Sequence, residues 1–237
     1  MKTNRLPEDL AVIAFDADDT LWENEQFFAE AEQKFLAMLE DFLPRHSVAR
    51  ELLHTEISNL PLYGYGIKAF MLSMIETALR ISDGKIPAPV ISEIIALGRE
   101  MLEKPVVLLD GVTSVLDKLK GRYRLVLATK GDLLDQERKL KKSGLESYFH
   151  HIEIMSEKKE DDYRKLIRHL DIPASRFMMI GNSLKSDVMP VINVGGFGVH
   201  VPYHVTWEHE KIDVALESDR FLPLEKITEL PDLLPGS

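Results

Sequence analysis

The chain has 237 residues, 45% of them apolar, a formal net charge of −10 and no cysteine. That length and apolar content suit one large domain, or one domain carrying an insertion, and argue against a disordered chain. The acidic balance, without any basic block, disfavours nucleic acid and anionic membrane as partners, and the lack of cysteine excludes disulfides, thiolate catalysis and cysteine-based zinc sites.

Met1 to Leu10 lack the apolar core of a secretory leader, and no run approaches the ~18 apolar residues of a membrane span, so the expectation is a soluble, cytoplasmic protein. The first predicted element is the strand Val12-Ile13-Ala14-Phe15, which runs straight into Asp16-Ala17-Asp18-Asp19-Thr20. Apolar β-formers suit a buried parallel strand, whereas carboxylates resist burial unless a cation or hydrogen bonds compensate them. A central strand ending at a ligand crevice accounts for both. If the extended geometry continues, Asp16 and Asp18 point to one side and invite a divalent cation. The competing reading is a solvated, Asp-rich turn.

Phe27, Phe28, Ala31, Phe35, Met38, Leu39 and Phe42 recur at helical spacing. Pro44 is expected to close that helix, and Ser47 to cap the next, which carries Leu52, Leu53, Ile57 and Leu60. Pro61 and the loop Tyr63-Gly64-Tyr65-Gly66 break the pattern. Further helices are predicted from Ile67 to Leu79 and from Pro87 and Pro89 to Glu103. Residues 23–104 thus read as helices only, with the expected α/β part at 1–22 and 105–237.

From Gly111 onward the pattern alternates. Helices are predicted at Gly111–Lys120, Asp132–Lys142, Lys159–Leu170 and Ser186–Asn193. Strands are predicted at Arg124–Thr129, His151–Ile154, Phe177–Ile180 and Phe197–Val201, with one more strand and a capping turn in Phe221–Leu234. Such alternation implies βαβ units in a parallel sheet with right-handed crossovers.

Three stretches besides the first end in groups suited to phosphate. Thr129-Lys130-Gly131 follows a strand and precedes a helix, so Thr129 either donates to a phosphoryl oxygen, with the Lys130 and Gly131 amides nearby, or caps the helix. Lys158 and Lys159 precede the helix of Tyr163; either is a point charge for phosphate or part of a solvated run. In Ile180-Gly181-Asn182-Ser183-Leu184-Lys185-Ser186-Asp187, Gly181 permits a tight turn, and Asp187 is either a helix-start acid or an oxygen ligand. His200, His204 and His209 fit no standard zinc spacing and read as surface or rim residues. Trp22, Tyr63, Tyr65 and Trp207 either line a pocket or, as aromatics more often do, pack in the core or cap; the Tyr-Gly-Tyr-Gly loop, with Tyr63 and Tyr65, is the best substrate contact among them.

The order of acid pair, hydroxyl, lysine and final acid resembles the four motifs of the haloacid dehalogenase-like hydrolase superfamily, beginning with its Asp-x-Asp-x-Thr. The resemblance covers residues 10–20 and 105–202, and the helical insert resembles the superfamily's first cap type. It implies a Rossmann-like doubly wound parallel sheet with an inserted all-α cap. It also implies a Mg2+-dependent phosphomonoester hydrolase acting on a small phosphate ester, as a monomer or homodimer. Asp16 would be the nucleophile and Asp18 the acid–base. Thr129, Lys130 and Lys158 would hold phosphate, and Asp16, Asp18, Asp187 and Asn182 the metal. The dehalogenase branch lacks an acid at the position of Asp18. Many members have Asp where this chain has Asn182, which favours Asp187 as the charged ligand. Counting back from Tyr163 favours Lys158 over Lys159. A phosphomutase, a phosphonate-cleaving relative using Lys68, and a non-catalytic module of the same fold are the alternatives.

Overall fold

In the computed structural model the described residues are 6–212 and 216–235, so the outermost ends of the expected α/β part, 1–5 and 236–237, lie outside them. The described chain forms two compact units. One contains the chain through Glu23, Val106–Lys130 and everything from Glu137 onward; the other contains Asn24–Pro105 and Gly131–Gln136.

The first unit is built on a six-stranded sheet in the order β3-β2-β1-β4-β5-β6. The strands are β1 (Val12–Phe15), β2 (Arg124–Lys130), β3 (His151–Met155), β4 (Phe177–Gly181), β5 (Phe197–His200) and β6 (Phe221–Pro223). All five pairings are parallel. Every residue of β1 and β4 is buried, as expected of central strands covered on both faces. Ile13 and Phe15 join one core layer and Val12 and Ala14 the other, which follows from the alternation of side chains along a strand. A buried Ile or Phe stabilises by roughly 1.5–3 kcal/mol, so this short strand is strongly anchored. The chain builds β2 and β3 on one side of β1, then crosses to β4, β5 and β6 on the other. The β1/β4 boundary is therefore a topological switch point, the place where such sheets open a crevice beyond their C-terminal ends.

The second unit is helical. It contains α1 (Glu25–Met38), α2 (Arg45–Tyr63), α3 (Ile67–Ile81) and α4 (Ala88–Glu103), with a core that includes Phe35, Leu39, Leu52, Met74 and Ile94. Two details differ from the sequence reading. Pro44 is the N-cap of α2 and does not close α1, which ends at Met38, so Ser47 lies within the first turn of α2. Pro44 at φ −56° and ψ 142° starts the helix because its fixed φ and missing N–H cost nothing there. Pro61 is tolerated within the last turn of α2, which stops at Gly64. Lys68 Nζ lies 2.7 Å from Asp132 Oδ2, an ion pair within this unit.

The remaining helices are α5 (Val112–Leu119), α6 (Leu133–Ser143), α7 (Glu160–His169), α8 (Met189–Asn193) and α9 (Leu230–Leu233). The predicted helix Ser186–Asn193 is instead a π-helical turn, Leu184–Val188, followed by α8. Among the described residues no helix is long and apolar enough to cross a membrane.

Candidate active site

The site grows from the end of β1. The Asp16 N–H donates to Ile180 O at 2.8 Å, so the backbone pairing with β4 continues one step past the strand and delivers the Asp16 side chain to the switch point. The chain then turns sharply. Asp19 adopts φ 60°, a left-handed conformation that Asp tolerates better than most residues, and its N–H donates to Trp22 O at 2.7 Å.

Asp16 and Asp187 are both buried, and both are bound by one buried ammonium. Lys158 Nζ donates to Asp16 Oδ1 at 2.5 Å and to Asp187 Oδ1 at 2.7 Å. Lys159 is 71% exposed and lies near Glu157, so Lys158 is the lysine that reaches the acids. It does so because α7 begins at Glu160, with Tyr163 fully buried and its hydroxyl donating to Ser186 O at 3.0 Å. Burial alone would push the Lys158 ammonium's pKa down; the Asp16 and Asp187 carboxylates outweigh it and leave the pKa above the ordinary lysine value. Burial pushes the Asp16 carboxyl up to about 7 despite the pull of Lys158, and the Asp187 charge adds to the rise.

The carboxylate that shares a partner with Asp16 is therefore Asp187, not Asp18. Asp18 turns to a different pair of donors: its Oδ1 accepts from Trp22 Nε1 at 2.7 Å and from Lys139 Nζ at 2.6 Å. Trp22 is wholly buried and packs in the main core, so its indole is a fixed donor rather than a pocket wall. Thr20 links the first motif to the last. Its hydroxyl lies 3.2 Å from Asp16 Oδ2, and it accepts from the Asn182 N–H at 3.1 Å. Asn182 Oδ1 lies 3.5 Å from the same hydroxyl.

Gly181 acts by close approach. A Cβ there would lie 2.2 Å from Asp187 Oδ2, so only glycine admits the carboxylate against the end of β4. Asp187 Oδ2 also accepts from the Ser183 N–H at 3.0 Å. Thr129 is buried at the end of β2, beside β1. The Lys130 ammonium is engaged by Glu210 Oε1 at 2.5 Å and Ser186 Oγ at 2.9 Å.

The histidines do not converge. His200 Nε2 donates to the Asn182 carbonyl at 3.0 Å, His204 packs on Tyr203, and His209 lies by Lys185 and Trp207. In the helical unit the Tyr63 hydroxyl donates to Glu76 Oε1 at 2.7 Å, while Tyr65 sits between Gly64 and Gly66, both at positive φ.

A family model of the haloacid dehalogenase-like hydrolases matches residues 10–195. The chain belongs to that family. A crystal structure of a haloacid dehalogenase-like hydrolase from Xanthomonas campestris is 38% identical, with a TM-score of 0.84, covering 96% of this chain and 91% of its own. The magnesium-bound HAD-hydrolase YfnB of Bacillus subtilis is similar in fold alone: TM-score 0.65, 18% identity, 95% of this chain and 98% of its own covered. So is the L-2-haloacid dehalogenase of Xanthobacter autotrophicus with chloropropionic acid covalently bound, at TM-score 0.67, 13% identity and coverage of 96% and 99%. Mouse N-acylneuraminate-9-phosphatase is 31% identical over 94 residues, a match spanning 38% of each chain.

Thr20 was legible as the last residue of the first motif, though no role was read for it. Two residues of the candidate site, Lys139 and Glu210, were missed. Lys139 and Glu210 lie far along the chain from the groups they bind, and neither carries a local pattern that would mark it.

The oxygens that the resemblance would give to a cation are hard: the Asp16 and Asp187 carboxylates, the Asn182 amide oxygen and the main-chain carbonyl of Asp18. Such donors suit Mg2+ rather than a softer metal. Among the described residues no three acidic or histidine side chains gather at one point, so side-chain charge would come from the Asp16–Asp187 pair. With both carboxyls ionised, one buried ammonium offsets only one of the two charges, and a cation would offset the other.

Proposed function

We propose that this hydrolase is a Mg2+-dependent phosphomonoesterase acting through an aspartyl-phosphate on Asp16. The observation that carries the reading is Asp18, a carboxyl group two residues past the nucleophile, held by Trp22 and Lys139. The resemblance puts the acid–base of phosphoryl transfer at that position, and the dehalogenase branch has no acid there.

An Asp16 carboxylate oxygen attacks phosphorus, a new P–O bond forms, and the bond to the ester oxygen breaks. Asp18 gives its proton to the departing oxygen, releasing an alcohol. Asp18 then takes a proton from water as that water attacks phosphorus and the P–O bond to Asp16 breaks, which frees inorganic phosphate and restores the Asp16 carboxylate and the Asp18 carboxylic acid. Thr129, the Lys130 amide and Lys158 orient the phosphoryl oxygens. Asp16, Asp187, Asn182 and the Asp18 carbonyl would hold Mg2+, which supplies charge neutralisation to the phosphoryl group. We assign selection of the leaving group to the helical insert, residues 23–104, with Tyr63 and Tyr65 as contacts, and place the enzyme in the cytoplasm.

The test is turnover of an aryl phosphate with and without Mg2+, then a panel of sugar phosphates, nucleotides, phosphoglycolate and N-acylneuraminate 9-phosphate, the last suggested by the mouse relative. Mg2+-dependent release of phosphate supports the reading. Release of halide from 2-haloacids, with no phosphate ester cleaved, would overturn it. Lys68, the candidate for a phosphonate-cleaving lysine, is paired with Asp132, and nothing in the site favours that alternative.

A further inference from the structure

Glu210 lies in a short 3-10 turn, Glu208–Glu210, on the segment that follows β5. Its side chain is only 12% exposed. Oε1 accepts from Lys130 Nζ at 2.5 Å; Oε2 accepts from Ser183 Oγ at 2.6 Å and from Ser186 Oγ at 2.7 Å. Lys130 ends β2, and the two serines lie in the loop and turn after β4. Those strands flank β1 on its two sides, so one carboxylate ties together the chain ends on either side of Asp16.

The connection continues to Asp187. Ser183 Oγ accepts from the Ser186 N–H at 3.0 Å, while the Ser183 N–H donates to Asp187 Oδ2 at 3.0 Å. The Asp187 N–H returns to Ser183 O at 2.9 Å. Ser183 is thus held through its hydroxyl by Glu210 and holds Asp187 through its amide. Burial would push the Glu210 carboxyl up, but Lys130 and the hydrogen bonds from Lys130, Ser183 and Ser186 bring it down to about 2, so it stays ionised at working pH.

We infer that Glu210 is a positioning residue that fixes the Asp187-bearing loop and the Lys130 ammonium at the end of the sheet. It touches neither Asp16 nor Asp187 directly; it acts through Ser183, Ser186 and Lys130. Its consequence for phosphate-ester hydrolysis rests on the function proposed above; its consequence for the loop does not.

The experiment compares Glu210→Ala and Glu210→Gln with the wild-type chain by amide hydrogen exchange over Ser183–Val188, Mg2+ titration of the protein, and aryl phosphate kinetics. Glu210→Gln keeps the volume and an acceptor for the serines but loses the charge facing Lys130. In Glu210→Ala those amides should exchange about tenfold faster while the β1 amides do not change, since the opening is local. Mg2+ affinity should fall by about tenfold and kcat by a similar factor, with KM nearly constant, as expected when a residue supporting a ligand is lost. Glu210→Gln should fall between. Unchanged exchange over Ser183–Val188 in a folded variant overturns the inference. So does a rise in KM with kcat intact, which would place Glu210 in substrate binding. If Glu210→Ala does not fold, Glu210→Gln carries the exchange measurement. If the wild-type chain cleaves no phosphate ester, the functional reading fails, and the exchange measurement still decides the role of Glu210.

Discussion

The strand-end site and the helical unit both bury polar groups, and they do it in opposite ways. At the site, charges are buried or half-buried and held by charged partners: Lys158 between Asp16 and Asp187, Lys139 on Asp18, Glu210 on Lys130. Between α2 and α3 the buried polar groups are mostly neutral. Asn59 Nδ2 donates to Ser73 Oγ at 3.1 Å, and the Thr77 hydroxyl donates to Thr55 Oγ1 at 3.0 Å. A neutral hydrogen-bonded pair contributes about 1 kcal/mol, whereas an unpaired buried charge costs several. The seam is therefore inexpensive packing that fixes helix register. The site is a place where charge is held at a cost to stability, as expected where charge is used for chemistry.

The sharpest way to break this comparison is to remove the central charge. Asp16→Asn removes the carboxylate proposed as nucleophile without changing volume. Turnover of an aryl phosphate should fall by at least about a hundredfold. The melting temperature should hold or rise, because a carboxyl group whose burial is costly has gone. A fall in melting temperature alongside retained turnover would mean that Asp16 is a structural acid.

A smaller effect separates the two loop residues proposed to hold Mg2+. Asp187→Ala should weaken the Mg2+ dependence of turnover by about tenfold or more, and Asn182→Ala should weaken it less. The reason is charge: Asp187 brings a carboxylate, and Asn182 brings an amide whose oxygen already faces the Thr20 hydroxyl at 3.5 Å. Mg2+ titrations of both variants decide the order, and a larger shift for Asn182→Ala would reverse the assignment.

How much of this was legible beforehand depended on the range of the interaction. An apolar run ending in Asp16 announces a central strand by itself, because burial and β-propensity act locally. Lys158 was chosen over Lys159 by counting from Tyr163, and the structure places Lys158 on the acids, because a helix fixes spacing over one turn. Pro44 misled, since a proline before a helix and one after it look alike until capping geometry is known. Gly181 was read as a turn, whereas its role is the space left for Asp187, a contact across a loop. Glu210 and Lys139 were invisible because their partners lie 80 and 121 positions away. A single acid or lysine in a polar segment has no period to betray it.

Within the helical unit, one carboxyl tests the contrast more finely. Burial pushes Glu56 up to about 8, and the nearby Glu32 charge adds to the rise. A folded-state pKa raised above the unfolded value means that the folded chain holds the proton more tightly. The stability linked to Glu56 is then fully present below about pH 4.5 and is lost as pH rises through about 8. Glu56→Gln should remove that slope, raising stability at pH 8 by up to several kcal/mol, at ~1.4 kcal/mol for each unit of the rise, and leaving it unchanged at pH 4. Thermal melts of both proteins across that range check it. Parallel curves would mean that Glu56 is solvated in the folded state.

The smallest effect expected is selective rather than general. Tyr65 lies between Gly64 at φ 68° and Gly66 at φ 104°, a backbone that few other residue pairs would adopt. Of the two aromatic rings in this loop, Tyr65 is the one flanked by glycine on both sides, and it is the probe of substrate contact. If the insert selects the leaving group, a contact from Tyr65 contributes binding energy that only a large ester can use. Tyr65→Ala should then lower kcat/KM for large phosphate esters by about tenfold and leave a small aryl phosphate within about twofold, since the site chemistry is untouched. The ratio of the two losses is the measurement. Equal losses on large and small esters would make Tyr65 a packing residue, and leaving-group selection would have to be sought in another part of the chain.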